Sequence, residues 1–273
     1  MNVGFVGTGN MGGVLVQALL NSAALKPEQV TVHNRTPAKA ERLAGLHPGI
    51  RVARSAAEAA ADRDILFICV KPLEYKAVLD EIAPVAKRET IVVSIASPVL
   101  IRHLEQKLEC KIAKVIPSIT NFIRGGAALC MYGCRMAERD IECIETLLRA
   151  ISAPLRIEER HVRITSDISS IGPAFLAFFL QQFIDAAVGK TGISREEATR
   201  LAAEMTLGTG RLLTEGGFSP ESLQERVCVP GGITEKALSL LRSRVDGMFT
   251  EVIEATHRKY EEDLTKVKAM LGH

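Results

Sequence analysis

Short apolar runs rich in valine and isoleucine recur through the first half of the chain, with amphipathic stretches between them. Residues 2–6, 30–34, 65–70, 90–95 and 111–116 read as strands. Residues 11–20, 37–44, 56–61, 74–85 and 100–107 carry apolar positions at helical spacing and read as helices. Strands separated by helices of this length predict βαβ units, and so an α/β fold with a doubly wound parallel sheet. A strand at 127–132, a helix at 138–150 and a short strand at 155–157 complete that sheet. Thr36-Pro37 puts a hydroxyl cap before a proline at the first helical position, and Ser55 with Glu58 has the form of a capping box.

Beyond about residue 158 strand-like runs stop and helical periodicity continues to the end. Ser194-Arg195-Glu196-Glu197 opens a long helix and Ser219-Pro220 a shorter one. We therefore divide the chain into domains at 1–153 and 154–273, the second all-α. Residues 173–188 are apolar nearly all round, with Phe175, Leu176, Phe178, Phe179, Phe183 and Val188 spread over every face. Such a helix must be buried, either in its own domain core or against a second subunit. A homodimer or higher homo-oligomer is the expectation.

Composition narrows the function classes. The 273 residues carry 34 Lys+Arg against 32 Asp+Glu, a formal charge of +2. That balance lacks the basic footprint of a nucleic-acid binder. No apolar run in the sequence approaches the ~20 residues of a membrane helix. The N-terminus opens into a strand without a charged leader, so a soluble, cytoplasmic protein is expected. Six scattered cysteines read as buried thiols, and Cys130 and Cys134 have no partners that would complete a metal site. His103 and His161 lack any partner pattern and are expected at the surface.

The sharpest motif is Gly7-Thr8-Gly9-Asn10-Met11-Gly12, between the first strand and the first helix. Gly7 makes the tight turn, Gly9 lets backbone N–H groups approach a pyrophosphate, and Gly12 lets helix and strand pack closely. The helix N-terminus adds unpaired N–H groups and a partial positive charge. This is the phosphate-binding loop of a Rossmann-type dinucleotide domain. At the end of the second strand an NAD site carries an acidic residue for the ribose hydroxyl. This chain has Asn34-Arg35-Thr36 instead, whose guanidinium, amide and hydroxyl suit a 2′-phosphate, so NADP(H) is the expected cofactor.

Further motifs follow in order: Val70-Lys71-Pro72, Pro117-Ser118-Ile119-Thr120-Asn121, Gly172-Pro173-Ala174-Phe175 and Val229-Pro230-Gly231-Gly232-Ile233-Thr234. Together with the glycine loop they resemble the pyrroline-5-carboxylate reductase family, and within it the competence-associated (ComER) branch. The resemblance spans nearly the whole chain. It implies a Rossmann-type NADP domain, a helical domain that dimerises, and hydride transfer to a cyclic imine to give proline. It also implies that Val70, Lys71 and Pro72 lie near the nicotinamide and ribose. Gly231, Gly232 and Ile233 would hold the substrate carboxylate, with the Thr234 hydroxyl on the ring nitrogen and Ser118 beside the substrate. The bare residues agree in part, since imine reduction needs a positioned hydride donor and little acid–base machinery. No Tyr is followed four residues later by Lys, and no Lys stands on the helix just after Gly172-Pro173, so two other reductase chemistries leave no trace.

The chain departs from the family where the substrate would sit. Ser118 and Ile119 replace Asn and Thr, Ile171 replaces Ser, and Val229 replaces Ser. Each change removes or shortens a polar group, while the cofactor motifs stay intact. Two readings follow: an imine reductase, or a regulatory paralogue that binds NADP(H) without efficient proline formation.

Overall fold

The computed structural model describes residues 1–272. Eight strands form one sheet in the order β3-β2-β1-β4-β5-β6-β7-β8. Its centre is β1 (Val3–Val6), β4 (Ile65–Ile68) and β5 (Ile91–Ser94), with β2 (Val30–His33) and β3 (Arg51–Val52) on one side. β6 (Lys111–Ile116), β7 (Ala127–Tyr132) and β8 (Ala153–Arg156) extend the other side. The first six strands run parallel, as the alternation predicts. β7 runs antiparallel to β6, with Val115 opposite Cys130, and β8 follows β7 in parallel. The link between β6 and β7 is too short for a crossover helix, so the chain must turn back. The two-residue β3 is too short to have left a pattern in the sequence.

Burial on both faces explains why the central strands are continuous apolar runs. Along β1, Val3 and Phe5 face one layer, where Phe5 stacks on Phe67 at 4.9 Å between ring centroids. That layer is closed by α1 (Asn10–Asn21), α2 (Pro37–Leu46) and α6 (Glu138–Arg149), through Leu15, Leu19, Leu43, Ile144 and Leu148. Val6, Leu66, Ile68 and Val92 face the other layer, against α3 (Ala56–Ala60), α4 (Tyr75–Ile82) and α5 (Ile101–Lys107). His103 is buried in α5, against the expectation of a surface position. Its Nδ1 accepts the Leu100 N–H at 3.3 Å, and burial pushes its pKa down. His161 is exposed. Cys110 and Cys130 are buried thiols as expected, whereas Cys134 and Cys143 are exposed.

Lys114 of β6 is wholly buried, its ammonium donating to the Ser97 carbonyl at 2.6 Å and to Glu159 at 3.0 Å. This pair fixes a 3₁₀ turn (Glu159–His161) and α7 (Val162–Ser166) beyond the sheet. A π-helical turn, Asp167–Ile171, then leads into α8 (Gly172–Thr191). The compact units are therefore Met1–Pro173 with the chain from Ala255 onward, and Ala174–Glu254. The sheet does end near the expected boundary at 153, but Val162 still packs on Ile116 and Leu129. Val267 and Leu271 of α12 (Met248–Leu271) join the layer of α3–α5.

The second unit holds most of α8, with α9 (Arg195–Thr214), α10 (Pro220–Val227), α11 (Ile233–Val245) and the start of α12. Ser194 and Ser219 cap α9 and α10 as predicted, accepting the N–H groups of Glu197 and Ser222. Its internal core is only Ile184, Ala198 and Ala202 with a few partly buried neighbours. Phe178, Phe179 and Phe183 of α8 stay exposed, Phe183 at 66%. Burial within the chain, one of the two options for this helix, does not occur. The continuous helical stretch Glu159–Thr191 is long and apolar enough, by length and composition, to cross a membrane.

Candidate cofactor loop and substrate turn

Gly7 leaves β1 with φ of +99°, a conformation that favours glycine. Its N–H donates to the His33 carbonyl at 2.8 Å, and a Cβ there would sit 2.7 Å from the Cys69 carbonyl oxygen. A Cβ on Gly12 would lie 2.0 Å from the Gly7 carbonyl oxygen. Both glycines are thus demanded by the close approach of loop, α1 and the end of β4. Gly9 caps α1, and a Cβ on it would meet nothing within 4 Å. The Thr8 N–H donates to Asn34 Oδ1 at 2.9 Å, and Asn34 Nδ2 donates to the Thr36 carbonyl at 3.0 Å. Thr8 Oγ1 is buried with no hydrogen-bond partner among the described residues. The first-turn N–H groups of α1, on Asn10, Met11 and Gly12, have no intrahelical acceptor. An oxygen-rich anion fits this set of donors, as a dinucleotide pyrophosphate would.

Beside the loop lies a cavity of about 560 Å³, lined by Gly7, His33, Arg35, Ser55, Val70 and Glu74 among others. Arg35 is highly exposed, and its guanidinium is 2.6 Å from Glu74 Oε1. The other oxygen of Glu74 accepts the Lys71 N–H at 3.2 Å. Sequence reasoning missed Glu74, because nothing local marks it as the partner of Arg35. Thr36 stands at the N-cap of α2, but its hydroxyl makes no capping bond. Ser55 does cap α3, accepting the Glu58 N–H at 3.0 Å. Glu58 in turn accepts the Arg54 N–H at 2.8 Å, one residue earlier than a capping box requires. That bond, with Arg51, holds the Glu58 carboxyl below the usual range. Lys71 is exposed, and Pro72 opens the 3₁₀ turn Pro72–Glu74.

Ser118 follows β6 and is buried. Its N–H donates to Asn121 Oδ1 at 2.8 Å and its oxygen accepts the Thr120 hydroxyl at 2.9 Å. Ser170 Oγ donates to the Pro117 carbonyl at 2.7 Å, tying the π turn to this loop. Sequence reasoning picked out Ile171 but not the π turn around it, a form that gathers at functional positions. Asp167, buried in the same turn, accepts from Arg163 at 2.5 Å and from the Thr256 hydroxyl at 2.7 Å.

In the second unit, Val229-Pro230-Gly231-Gly232 turns into α11, with Gly231 at φ of +74° and Gly232 as N-cap. The Gly231 N–H donates to Glu235 Oε2 at 2.6 Å, and the Gly232 N–H to the Val229 carbonyl at 2.8 Å. Val229 and Ile233 are exposed, Ile233 at 90%. Thr234 is half-buried, and its hydroxyl has no hydrogen-bond partner among the described residues. Ser118 belongs to the first unit and the Gly231–Gly232 turn to the second.

Comparison with known proteins finds matches in both halves of the chain. Residues 159–263 match the model for pyrroline-5-carboxylate reductase dimerisation, and residues 2–98 match that for NADP oxidoreductase, coenzyme F420-dependent. The chain is 41% identical to ComE operon protein 4 of Bacillus subtilis, over 98% of each chain. It is 31% identical to pyrroline-5-carboxylate reductase of Escherichia coli, over 95% of this chain and 96% of that one. Its fold is similar to that of a Plasmodium falciparum pyrroline carboxylate reductase crystallised with NADP bound. The TM-score there is 0.83 at 25% identity, covering 100% and 98% of the two chains. Fold, glycine loop and identity over almost the full length converge: the chain belongs to the pyrroline-5-carboxylate reductase family.

Proposed function

We propose that this protein reduces a cyclic imine, 1-pyrroline-5-carboxylate or a relative of it, at the expense of NADPH, and that proline is the product in the first case. The observation that carries the reading is an intact phosphate loop in the same chain as a Pro-Gly-Gly turn with Thr234 on the next helical turn. NADPH, when bound, supplies a hydride to the imine carbon. The N–H groups of Gly9, Asn10, Met11 and Gly12 and the Thr8 hydroxyl hold its pyrophosphate. Asn34 keeps the loop in shape, and Arg35 with Thr36 receives the 2′-phosphate, Arg35 exchanging Glu74 for it. Val70, Lys71 and Pro72 border the ribose and nicotinamide.

The imine is assigned to Gly231, Gly232, Ile233 and Thr234, with the Thr234 hydroxyl, free of any competing partner, bonded to the ring nitrogen. As the imine carbon gains the hydride, the ring nitrogen gains a proton supplied by water, with the Thr234 hydroxyl holding that nitrogen in place. Ser118 keeps a hydroxyl proton to offer the substrate. The exposed phenylalanines of α8 are covered by a second copy, giving a homodimer or higher homo-oligomer in the cytoplasm. The first domain is then the NADP-binding part, and the second serves dimerisation and substrate. A second reading, a regulatory paralogue that keeps NADP(H) affinity, is favoured by Ser118, Ile171, Val229 and the likeness to ComE operon protein 4.

NADPH consumption by the purified protein, with 1-pyrroline-5-carboxylate and with its decarboxylated counterpart 1-pyrroline, separates the two. Turnover of either imine in the ordinary range of roughly 1–1000 per second, lost in Thr234→Ala, supports the reductase. No turnover of either, beside demonstrated NADPH binding, supports the paralogue.

A further inference from the structure

We propose that Glu74 sets how strongly the cofactor site prefers NADPH to NADH, by holding Arg35 in an ion pair that the 2′-phosphate must displace. The proposal rests on the reading above, that Arg35 receives this phosphate. Glu74 ends the 3₁₀ turn that follows β4, whereas Arg35 stands just beyond β2. Both line the cavity of about 560 Å³ beside the glycine loop, and their side chains meet there.

The Glu74 carboxylate is anchored from its own side. Its Oε2 accepts the Lys71 N–H at 3.2 Å, which ties the half-buried side chain back onto the turn that carries it. Oε1 is left for Arg35 Nη1, 2.6 Å away. A carboxylate held in this way gives up less side-chain freedom on pairing than a free surface glutamate does. Arg35 has no other ion-pair partner among the described residues. Its side chain is 85% exposed, so water screens the pair. The pair is therefore strong enough to move an affinity several-fold and too weak to close the site.

The rest of the wall gives the phosphate little help. Arg54 and Glu81 also line the cavity, which thus sets two guanidiniums against two carboxylates and offers a dianion no net positive charge. A 2′-phosphate that takes Arg35 breaks a charge-assisted bond. It then sits near the Glu74 carboxylate, which the Lys71 N–H still holds in place. NADH carries a hydroxyl at that position and meets neither opposition. Glu74 therefore weakens NADPH alone and narrows the gap between the two cofactors.

The test is calorimetric titration of the full-length protein with adenosine 2′,5′-bisphosphate and with adenosine 5′-monophosphate. These carry the adenosine end of each cofactor and take no part in hydride transfer. Glu74→Gln keeps an oxygen for the Lys71 N–H and removes the charge. It raises affinity for the bisphosphate about fivefold and changes that for the monophosphate by less than about twofold. The gain depends on Arg35, so most of it disappears when Glu74→Gln is combined with Arg35→Ala. Equal gains for the two nucleotides would make Glu74 a general obstacle at the cavity mouth and overturn the proposal. A gain that survives intact without Arg35 overturns it too. Arg35→Ala that binds the bisphosphate as tightly as the wild type removes the phosphate assignment and the proposal with it. A loss in Arg35→Ala with no gain in Glu74→Gln keeps that assignment and sinks the role of Glu74 alone.

Discussion

Asn34 accepts the N–H of Thr8 through its side-chain oxygen at 2.9 Å, so the residue just after β2 also holds the second position of the glycine loop. Its amide nitrogen is spent on the Thr36 carbonyl, which fixes the orientation of the side chain. Asn34 is thus a positioning residue rather than only a ligand to the 2′-phosphate. Asn34→Ala leaves the Thr8 N–H without its acceptor, worth about 1–3 kcal/mol where water cannot replace it. We expect NADPH and NADH affinity to fall together, by about tenfold, in a fluorescence titration. Loss confined to NADPH would return Asn34 to a phosphate ligand.

Gly12 faces the Gly7 carbonyl so closely that a methyl group cannot be added without moving α1 or the loop. Gly12→Ala is expected to cost about 3 kcal/mol and to lower Tm by about 6–12 °C in calorimetry. Gly9→Ala meets open space, so its stability should change little while NADPH binding weakens. Equal Tm losses in the two variants would refute this division of labour.

The glycine loop, the five longer parallel strands with their helices and the caps at Ser194 and Ser219 were legible because each depends on residues close together in sequence. The reversal at β7 was not, since an apolar run looks the same in either direction; only the short 117–126 connection decides it. The pairing of Arg35 with Glu74 joins two segments by their tertiary positions, and no periodicity marks it. The same holds for the domain boundary. The end of strand-like texture is visible near 158, but Val162, Val267 and Leu271 pack with the first unit through contacts made far along the chain. At the turn before α11 the glycines were legible, and the bond from the Gly231 N–H to the Glu235 carboxylate was not.

His103 supplies a pH dependence. Burial holds its folded pKa below 6.5, with Arg102 and Lys114 acting the same way and Glu159 against them. Its Nδ1 must also be unprotonated to accept the Leu100 N–H. As pH falls through 6.5 the unfolded chain takes up this proton before the folded one, so stability drops with decreasing pH from there. Above 6.5 the contribution is constant. His103→Asn should flatten the slope of denaturation midpoint against pH between 6.5 and the folded pKa. An unchanged slope would assign the acid sensitivity to other groups.

Phe183, two-thirds exposed on α8, tests what covers the apolar stretch. The matched dimerisation model spans this helix, and the second unit has too small a core of its own to leave these rings in water. Phe183→Glu places a charge in the centre of the surface a second copy would bury, where an unpaired charge costs several kcal/mol. Light scattering at micromolar concentration should find a homo-oligomer in the wild type and a monomer in the variant, with the circular dichroism of the sheet unit retained. An oligomer that survives Phe183→Glu would move the interface to another face of the helical unit. A wild type that is monomeric and partitions into lipid vesicles would instead mean that the stretch Glu159–Thr191 is covered by a bilayer.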